Sequence, residues 1–364
     1  MASKPKRLLL AAGGTGGHMF PAQALAEEMV KAGWETALIT DVRGQKLAGN
    51  FPNGPQLTIA AASINPKRPL AAVKGVLTIF KGMRQSKTFI KEWQPDVVAG
   101  FGGYPAFPAV KVAQSLGLPT LLHEQNAVLG RVNRALSKGT NILACGFERL
   151  EKCAVPEKLI VTGNPLRRQI ADAVPNDYDV PTDKINLLIV GGSLGAKLIS
   201  ETVPLALAQL PQDIRARLSV VQQTRKESLE TAQQIYSAAG ITAHCETFFH
   251  NIETELAKAH YVIGRAGASS VSEIAMMGKP SLFVPLGIAM DDHQTMNAQS
   301  LKDHDAADIL PESQFTPEAI AHILTARLND SHWLKQAATA ARRCAKPDAA
   351  AHLAKLVTGL VQNE

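Results

Sequence analysis

No apolar run in this sequence approaches the roughly 18 residues that a membrane-crossing helix needs. The most apolar stretch, VVAGFGGYPAFPAV at 97–110, is short and broken by glycine and proline. Cysteine is scarce. Cys145, Cys153, Cys245 and Cys344 stand apart with no CxxC pair, which argues against a disulfide framework or structural zinc and fits a reducing cytoplasm. The dinucleotide fingerprint is also missing. GxGxxG begun at Gly14 and Gly16 needs a glycine at 19, where Met19 stands, and GGSLGA at 191–196 fails the same spacing. Asp41, after ETALIT, keeps the NAD(P) alternative open, because it resembles the acidic residue that takes a ribose in such proteins. No DxD follows a strand. DHD at 303–305 follows a helical stretch, and Asp291 and Asp292 are adjacent rather than spaced for a metal. The reading is therefore metal-independent chemistry with no cofactor.

What is present is a long chain of 364 residues, 46% hydrophobic, enough for two domains. The net charge of +6 is uneven: residues 1–165 carry +10 and residues 166–364 carry −4. An anionic partner is thus expected at the N-terminal half. The charged start MASKPKR leads into an apolar run and a glycine turn rather than a cleavage site, so it reads as the first strand and not as a leader.

Strand-like runs alternate with amphipathic stretches, the pattern of parallel sheets covered by helices. RLLLAAGG at 7–14 reads as a buried strand, and PAQALAEEMVKAG at 21–33 as the following helix, with Pro21 near its first turn and Gly33 as its stop. The pattern restarts at INLLIVGGSLGAKLISETVPLALAQL, 185–210. Two strand–glycine–helix units in one chain favour contact with a phosphate or sugar, because such turns bring backbone N–H groups close to an anion. A third turn lies in VIGRAGASSVSE, where Ser270 and Glu273 have the spacing of a capping box and Glu273 could equally accept from a ribose diol.

Seven segments occur in order: GGTGGH, FGGYPAFPA, HEQNAVLGRVNR, GNPLR, GGSLGA, RAGASSVSE and DDHQTMNA. Together they resemble the bacterial glycosyltransferases of peptidoglycan synthesis that form lipid II, and they run from 13 to 298. The resemblance implies a GT-B fold, α/β, with two Rossmann-like parallel-sheet domains facing a central cleft. It implies an N-terminal acceptor and membrane-facing domain at 1–164 and a donor-binding domain at 165–340. The helical segment at 341–364 would pack back on the first. It also implies inverting transfer of N-acetylglucosamine from UDP-N-acetylglucosamine to undecaprenyl-linked lipid I, by a peripheral protein on the cytoplasmic face of the membrane, among other cell-wall synthesis proteins.

By the same resemblance, Thr15, Gly16 and Gly17 lie at the donor, Asn126 comes to the cleft, Arg167 and Ser193 bind substrate, Ala268, Ser269, Ser270 and Glu273 take the phosphates and ribose, and Gln294 contacts the donor. Phe249, in TFFHNI, marks backbone facing the uracil ring. The transfer needs a base and positive potential for the departing diphosphate. His18 is the first candidate for the base, because its ordinary pKa of about 6.5 suits proton transfer near neutrality. Glu124 is the second, with His123 nearby. A UDP-sugar epimerase or an antibiotic glycosyltransferase of the same architecture would share most of these features.

The segment 65–91 holds seven basic residues and no acidic one, with Val73, Val76, Leu77, Phe80 and Met83 at helical spacing. On pattern alone this is a core-facing stripe with a solvated basic rim; the +10 of the N-terminal half and the lipid-linked acceptor that the resemblance implies make Val76 and Phe80, rimmed by Lys74, Lys81 and Arg84, a contact for an anionic membrane surface. No recognised nucleic-acid motif accompanies the charge.

Overall fold

The computed structural model describes residues 4–52, 54–61, 69–192, 195–287 and 290–362. The chain divides into two compact units, 1–167 with 346–364, and 168–345. Arg167 therefore belongs to the first unit, three residues beyond the boundary placed at 164. The second unit keeps residues 341–345, because the helix Ser331–Cys344 runs unbroken through 340.

In the first unit, Leu8, Leu9 and Leu10 are fully buried, as a central parallel strand requires. The strands are β1 (Arg7–Ala11), β2 (Glu35–Thr40), β3 (Gln56–Thr58), β4 (Val97–Gly100), β5 (Thr120–Glu124), β6 (Ile142–Cys145) and β7 (Leu159–Val161). They pair in the order β3-β2-β1-β4-β5-β6-β7, all parallel. Side chains alternate across the sheet. Leu8 and Leu10 pack with Leu25, Met29, Leu353 and Val357 on one face, while Leu9 and Ala11 pack with Ile90, Val110 and Leu136 on the other. The helix Ala349–Gln362 thus closes the same layer as the helix Gly16–Lys31. Burying Leu353 and Val357 contributes roughly 1.5–3 kcal/mol each.

The second unit repeats the plan with β8 (Ile185–Val190), β9 (Leu218–Gln223), β10 (Thr242–Glu246), β11 (Tyr261–Gly264), β12 (Ser281–Phe283) and β13 (Ala307–Ile309). Their order is β10-β9-β8-β11-β12-β13, again all parallel. The expected α/β architecture of two Rossmann-like sheets is thus found. In each unit the strand order reverses once, between β1 and β4 and between β8 and β11. Open parallel sheets bind ligands just beyond the carboxyl ends of the strands at such a reversal.

Two local readings change. The first helix begins at Gly16, so Pro21 is its sixth residue rather than part of its first turn. Gly16 and Gly17 open the helix instead of extending the turn. The helix after the third glycine turn, Ala268–Met277, has Gly267 as its N-cap and no side-chain cap. Ser270 is then its third residue, and the capping box expected from Ser270 and Glu273 does not form.

Candidate functional site

In the first unit, three strand ends meet at the reversal. Beyond β1, Gly14 takes a left-handed φ of +84°, a conformation glycine adopts without a Cβ penalty. A Cβ on Gly13 would lie 2.7 Å from Pro105 Cγ and 2.8 Å from Asp41 Oδ1. The turn is pinned by Asp41, whose Oδ1 accepts from the Gly14 amide at 2.9 Å and the Gly44 amide at 2.8 Å. That carboxylate, weighed above as a ribose ligand, is committed to its own turn. This removes the residue that kept the dinucleotide reading open.

His18 is the third residue of the helix Gly16–Lys31, half-buried, with Nδ1 3.4 Å from Thr15 Oγ1. Its ring lies against the second glycine turn, after β4, where Gly102 and Gly103 have φ of 76° and 72°. Burial pushes His18 below the usual histidine value. The Glu124 charge and a hydrogen bond to the Gly13 carbonyl oppose that shift without overcoming it. The ring is therefore neutral at pH 7. With one nitrogen protonated toward Gly13, the other is left as an acceptor.

At the end of β5, Glu124 is buried and fully engaged. Its Oε1 accepts from the Asn126 amide and from Asn126 Nδ2, both at 3.1 Å. Its Oε2 accepts from the Gly130 amide and Asn133 Nδ2, both at 2.9 Å. Glu124 thus fixes the loop carrying Asn126, and both oxygens are already in use. Asn133 was not singled out from the sequence; its place in HEQNAVLGRVNR was the available signal.

His123 is fully buried. Its Nε2 lies 3.0 Å from the Gly163 carbonyl oxygen and its Nδ1 3.0 Å from Gln125 Nε2. Only the tautomer protonated at Nε2 satisfies both contacts. Burial lowers its pKa to about 4, against the smaller opposing effect of the Gly163 carbonyl. A group depressed in this way binds its proton first in the unfolded chain, so stability is retained above about pH 6.5 and lost as the pH falls toward 4. The loss expected is about 3 kcal/mol. Urea unfolding at pH 7 and pH 4.5 checks it: His123→Gln should lose correspondingly less than the wild type over that window, and an identical loss in both proteins would contradict this account.

Arg167 stands over the Phe20 ring, its guanidinium carbon 5.1 Å from the ring centroid. Phe20 in turn covers Gly16, where a Cβ would lie 2.6 Å from Phe20 Cε2. Thr15 is exposed, and Gly16 and Gly17 are half-buried. Phe20 had no motif signal beyond its position in the first helix.

In the second unit, Ser193 lies outside the described residues. Around it, Gly192 and Gly195 have φ of +84° and +68°. The Gly191 amide donates to Gln223 Oε1 at 3.1 Å, and Gln223 Nε2 donates to the Thr247 carbonyl at 3.4 Å. Gln223, at the end of β9, thereby ties the glycine turn to the segment holding Phe249. That ring is buried, with its centroid 6.0 Å from that of His244. Beyond β11, the uncapped helix Ala268–Met277 presents the amides of Ala268, Ser269 and Ser270 at its positive end. Glu273 follows Ser269 by four residues and Ser270 by three, so it shares their face. Beyond β12, Gln294 Oε1 accepts from the Leu286 amide at 3.0 Å.

Among the described residues, no group of three or more His, Cys, Asp or Glu side chains could hold a metal ion. Asp303, of the DHD triplet, accepts from Gln299 Nε2 at 2.5 Å.

The basic helix spans Pro69–Trp93, and Lys67 and Arg68 lie outside the described residues. Val73, Leu77 and Phe80 are 60%, 64% and 64% exposed, and Val76 is 37% exposed. Lys74, Lys81 and Arg84 are exposed around them. Met83, expected on the same stripe, is half-buried and packs against the core cluster that contains Ile90. The helix thus has a core face that includes Gly75, Gly82 and Ser86, and an opposite apolar face that remains exposed. Among the described residues no helix is long and apolar enough to cross a membrane.

Residues 8–142 match the glycosyltransferase family 28 N-terminal domain, and residues 186–353 match the family 28 C-terminal domain. A protein of Maricaulis maris (strain MCS10) is 49% identical over 361 residues, covering 98% of each chain. It is named UDP-N-acetylglucosamine--N-acetylmuramyl-(pentapeptide) pyrophosphoryl-undecaprenol N-acetylglucosamine transferase. The protein of that name from Caulobacter vibrioides (strain NA1000 / CB15N) is 44% identical over 354 residues, covering 97% of this chain and 98% of its own. The crystal structure of Acinetobacter baumannii MurG superposes with a TM-score of 0.80 at 33% identity, covering 98% of this chain and all of that one.

Proposed function

The chain belongs to glycosyltransferase family 28, and from that membership we infer that it moves N-acetylglucosamine from UDP-N-acetylglucosamine to the muramoyl-pentapeptide-diphosphoryl-undecaprenol acceptor. It is an enzyme of peptidoglycan synthesis that converts lipid I to lipid II. The observation that carries this reading is the near-complete coverage by a relative of that name, over a chain whose two sheets each carry glycine turns at the reversal of strand order.

The roles of individual residues follow from the local chemistry. The second unit is the donor-binding one. The first-turn amides of Ala268, Ser269 and Ser270 favour the diphosphate, and Glu273 accepts from the ribose hydroxyls on the same helix face. Backbone near Phe249 faces the uracil, Ser193 belongs to the phosphate-side turn, and Gln294 reaches the sugar. In the first unit, Thr15, Gly16, Gly17 and Asn126 line the reacting end. Arg167 supplies positive charge for the departing group, in the role arginine suits best.

In the reaction the acceptor hydroxyl oxygen bonds to the anomeric carbon as the bond from that carbon to the diphosphate oxygen breaks. UDP leaves with the electron pair, and the configuration inverts. The hydroxyl proton passes to the His18 nitrogen that does not face Gly13. Glu124 acts by holding Asn126 and the loop through Asn133, rather than by taking the proton.

The exposed face of the helix Pro69–Trp93 is the membrane contact. In this reading Val76 and Phe80 enter the interface while Lys74, Lys81 and Arg84 meet anionic headgroups, and the protein is peripheral on the cytoplasmic leaflet. Each basic residue near an anionic surface contributes about 1 kcal/mol. Flotation with anionic liposomes should therefore fall about fivefold or more for Lys81→Glu, which reverses one charge, and also for Phe80→Asp. Wild-type flotation by both variants would remove the claim.

Release of UDP from UDP-N-acetylglucosamine, measured with and without a lipid I analogue, tests the reaction itself. Acceptor-dependent release is the expected result. Conversion of the sugar without acceptor would mark an epimerase instead.

A further inference from the structure

The loop beyond β12 is held by a carboxylate outside every motif of the sequence. Glu312 opens the short turn Glu312–Gln314, after β13. Its Oε2 accepts from the Gly287 amide at 3.0 Å, and its Oε1 accepts from Arg265 Nη2 at 2.6 Å. Arg265 Nη1 donates to the carbonyl oxygens of Val284 at 3.0 Å and Pro285 at 3.4 Å. The Leu286 amide between them donates to Gln294 Oε1. Four consecutive residues, 284–287, therefore each have a backbone group fixed by one of three side chains.

Loops past the ends of parallel strands ordinarily leave such groups to water. This one is specified by side chains drawn from three separate segments. The Arg265 and Glu312 side chains are 11% and 27% exposed, so the pair is better shielded than a surface ion pair. Burial raises the Glu312 carboxyl, but the Gly287 amide and the Arg265 guanidinium together hold it below the ordinary carboxylate value. The far end of the segment is strained: Asp291 and Asp292 take left-handed φ of 59° and 54°. Non-glycine residues persist there only when their surroundings hold them. Gln294 takes its orientation from the held end, because its amide oxygen is fixed on Leu286, next to the residue that Glu312 grips.

We propose that Glu312 is a positioning residue for the donor: through Gly287 and Arg265 it sets the backbone of 284–287, and through Leu286 it orients the Gln294 amide toward the sugar, without touching substrate itself. This rests on the assignment of Gln294 to the donor made above. A glutamate is required because both partners are donors. A glutamine would turn its own N–H toward one of them.

Steady-state kinetics with UDP-N-acetylglucosamine and a lipid I analogue test it. Glu312→Gln should raise the donor KM about tenfold, the size of losing one charge-assisted hydrogen bond, with kcat and acceptor KM changed by less than about threefold. Glu312→Asp, which keeps the charge, should restore part of the affinity and serves if the glutamine variant folds poorly. Gln294→Ala should raise the donor KM, and adding Glu312→Gln to it should raise it no further, because the two act through one contact. An unchanged donor KM, an equal rise in acceptor KM, or independent effects in the double variant would overturn the proposal. The wild type run alongside separates the two readings. Acceptor-dependent release by the wild type with an unmoved donor KM in the variants defeats only the role of Glu312, whereas no such release defeats the transfer reading as well.

Discussion

Replacing His18 by glutamine should lower turnover by a factor of about 10²–10⁴, the range in which a positioned proton acceptor contributes. Glutamine keeps much of the size and the hydrogen-bonding reach of the side chain but cannot bind a proton near neutral pH. The position favours a neutral ring on two counts. His18 lies in the first turn of the helix Gly16–Lys31, where the helix dipole disfavours a cation, and burial lowers its pKa further. The pH dependence then has a defined sign. The wild-type rate should fall on the acid side as His18 takes up a proton, at a pH below the ordinary histidine value of about 6.5, and should not depend on His18 above it. In His18→Gln that acid limb should vanish along with most of the rate. A pH–rate profile of both proteins decides the matter. A variant with full turnover and the wild-type profile would leave His18 a turn residue and nothing more.

The second large effect is expected at Glu124, and it differs in kind. Four donors converge on this carboxylate, two on each oxygen. Glutamine offers one acceptor oxygen, so in either orientation its amide N–H₂ faces two of those donors. Losing two hydrogen bonds to a charged acceptor costs about 3–5 kcal/mol. For a unit of this size that is a fall in melting temperature of roughly 10 °C. Turnover should fall too, because Asn126 is held by the same carboxylate. The two variants are told apart by thermal denaturation. His18→Gln should melt near the wild-type temperature, whereas Glu124→Gln should not. A Glu124→Gln protein of unchanged stability that had lost its acid limb would transfer the base role from His18 to Glu124.

Legibility in the sequence followed the range of the interaction. The two strand–glycine–helix units could be read directly, because a buried strand such as Leu8–Leu10 and the glycines after it are neighbours in the chain. Capping and helix register were less legible. Gly267 rather than Ser270 caps its helix because the backbone turns three residues earlier than the serine pattern suggests. The stripe on the helix Pro69–Trp93 was readable as a period but not as a face. Its spacing could not say that Met83 turns inward while Phe80 stays outside, since that depends on what the sheet places against the helix.

The sequence by itself determined the repeated α/β plan, the family resemblance and the motif residues, because each is written in local spacing. Tertiary structure alone decided what holds those residues in place. Asp41 reaches Gly14 across 27 positions, Gln223 reaches Gly191 across 32, and Glu312 reaches Arg265 across 47. Such pairs arise from the order in which strands lie side by side, the first two between adjacent strands and the third across β12, and hydrogen bonds between strand ends leave no periodic mark on the chain.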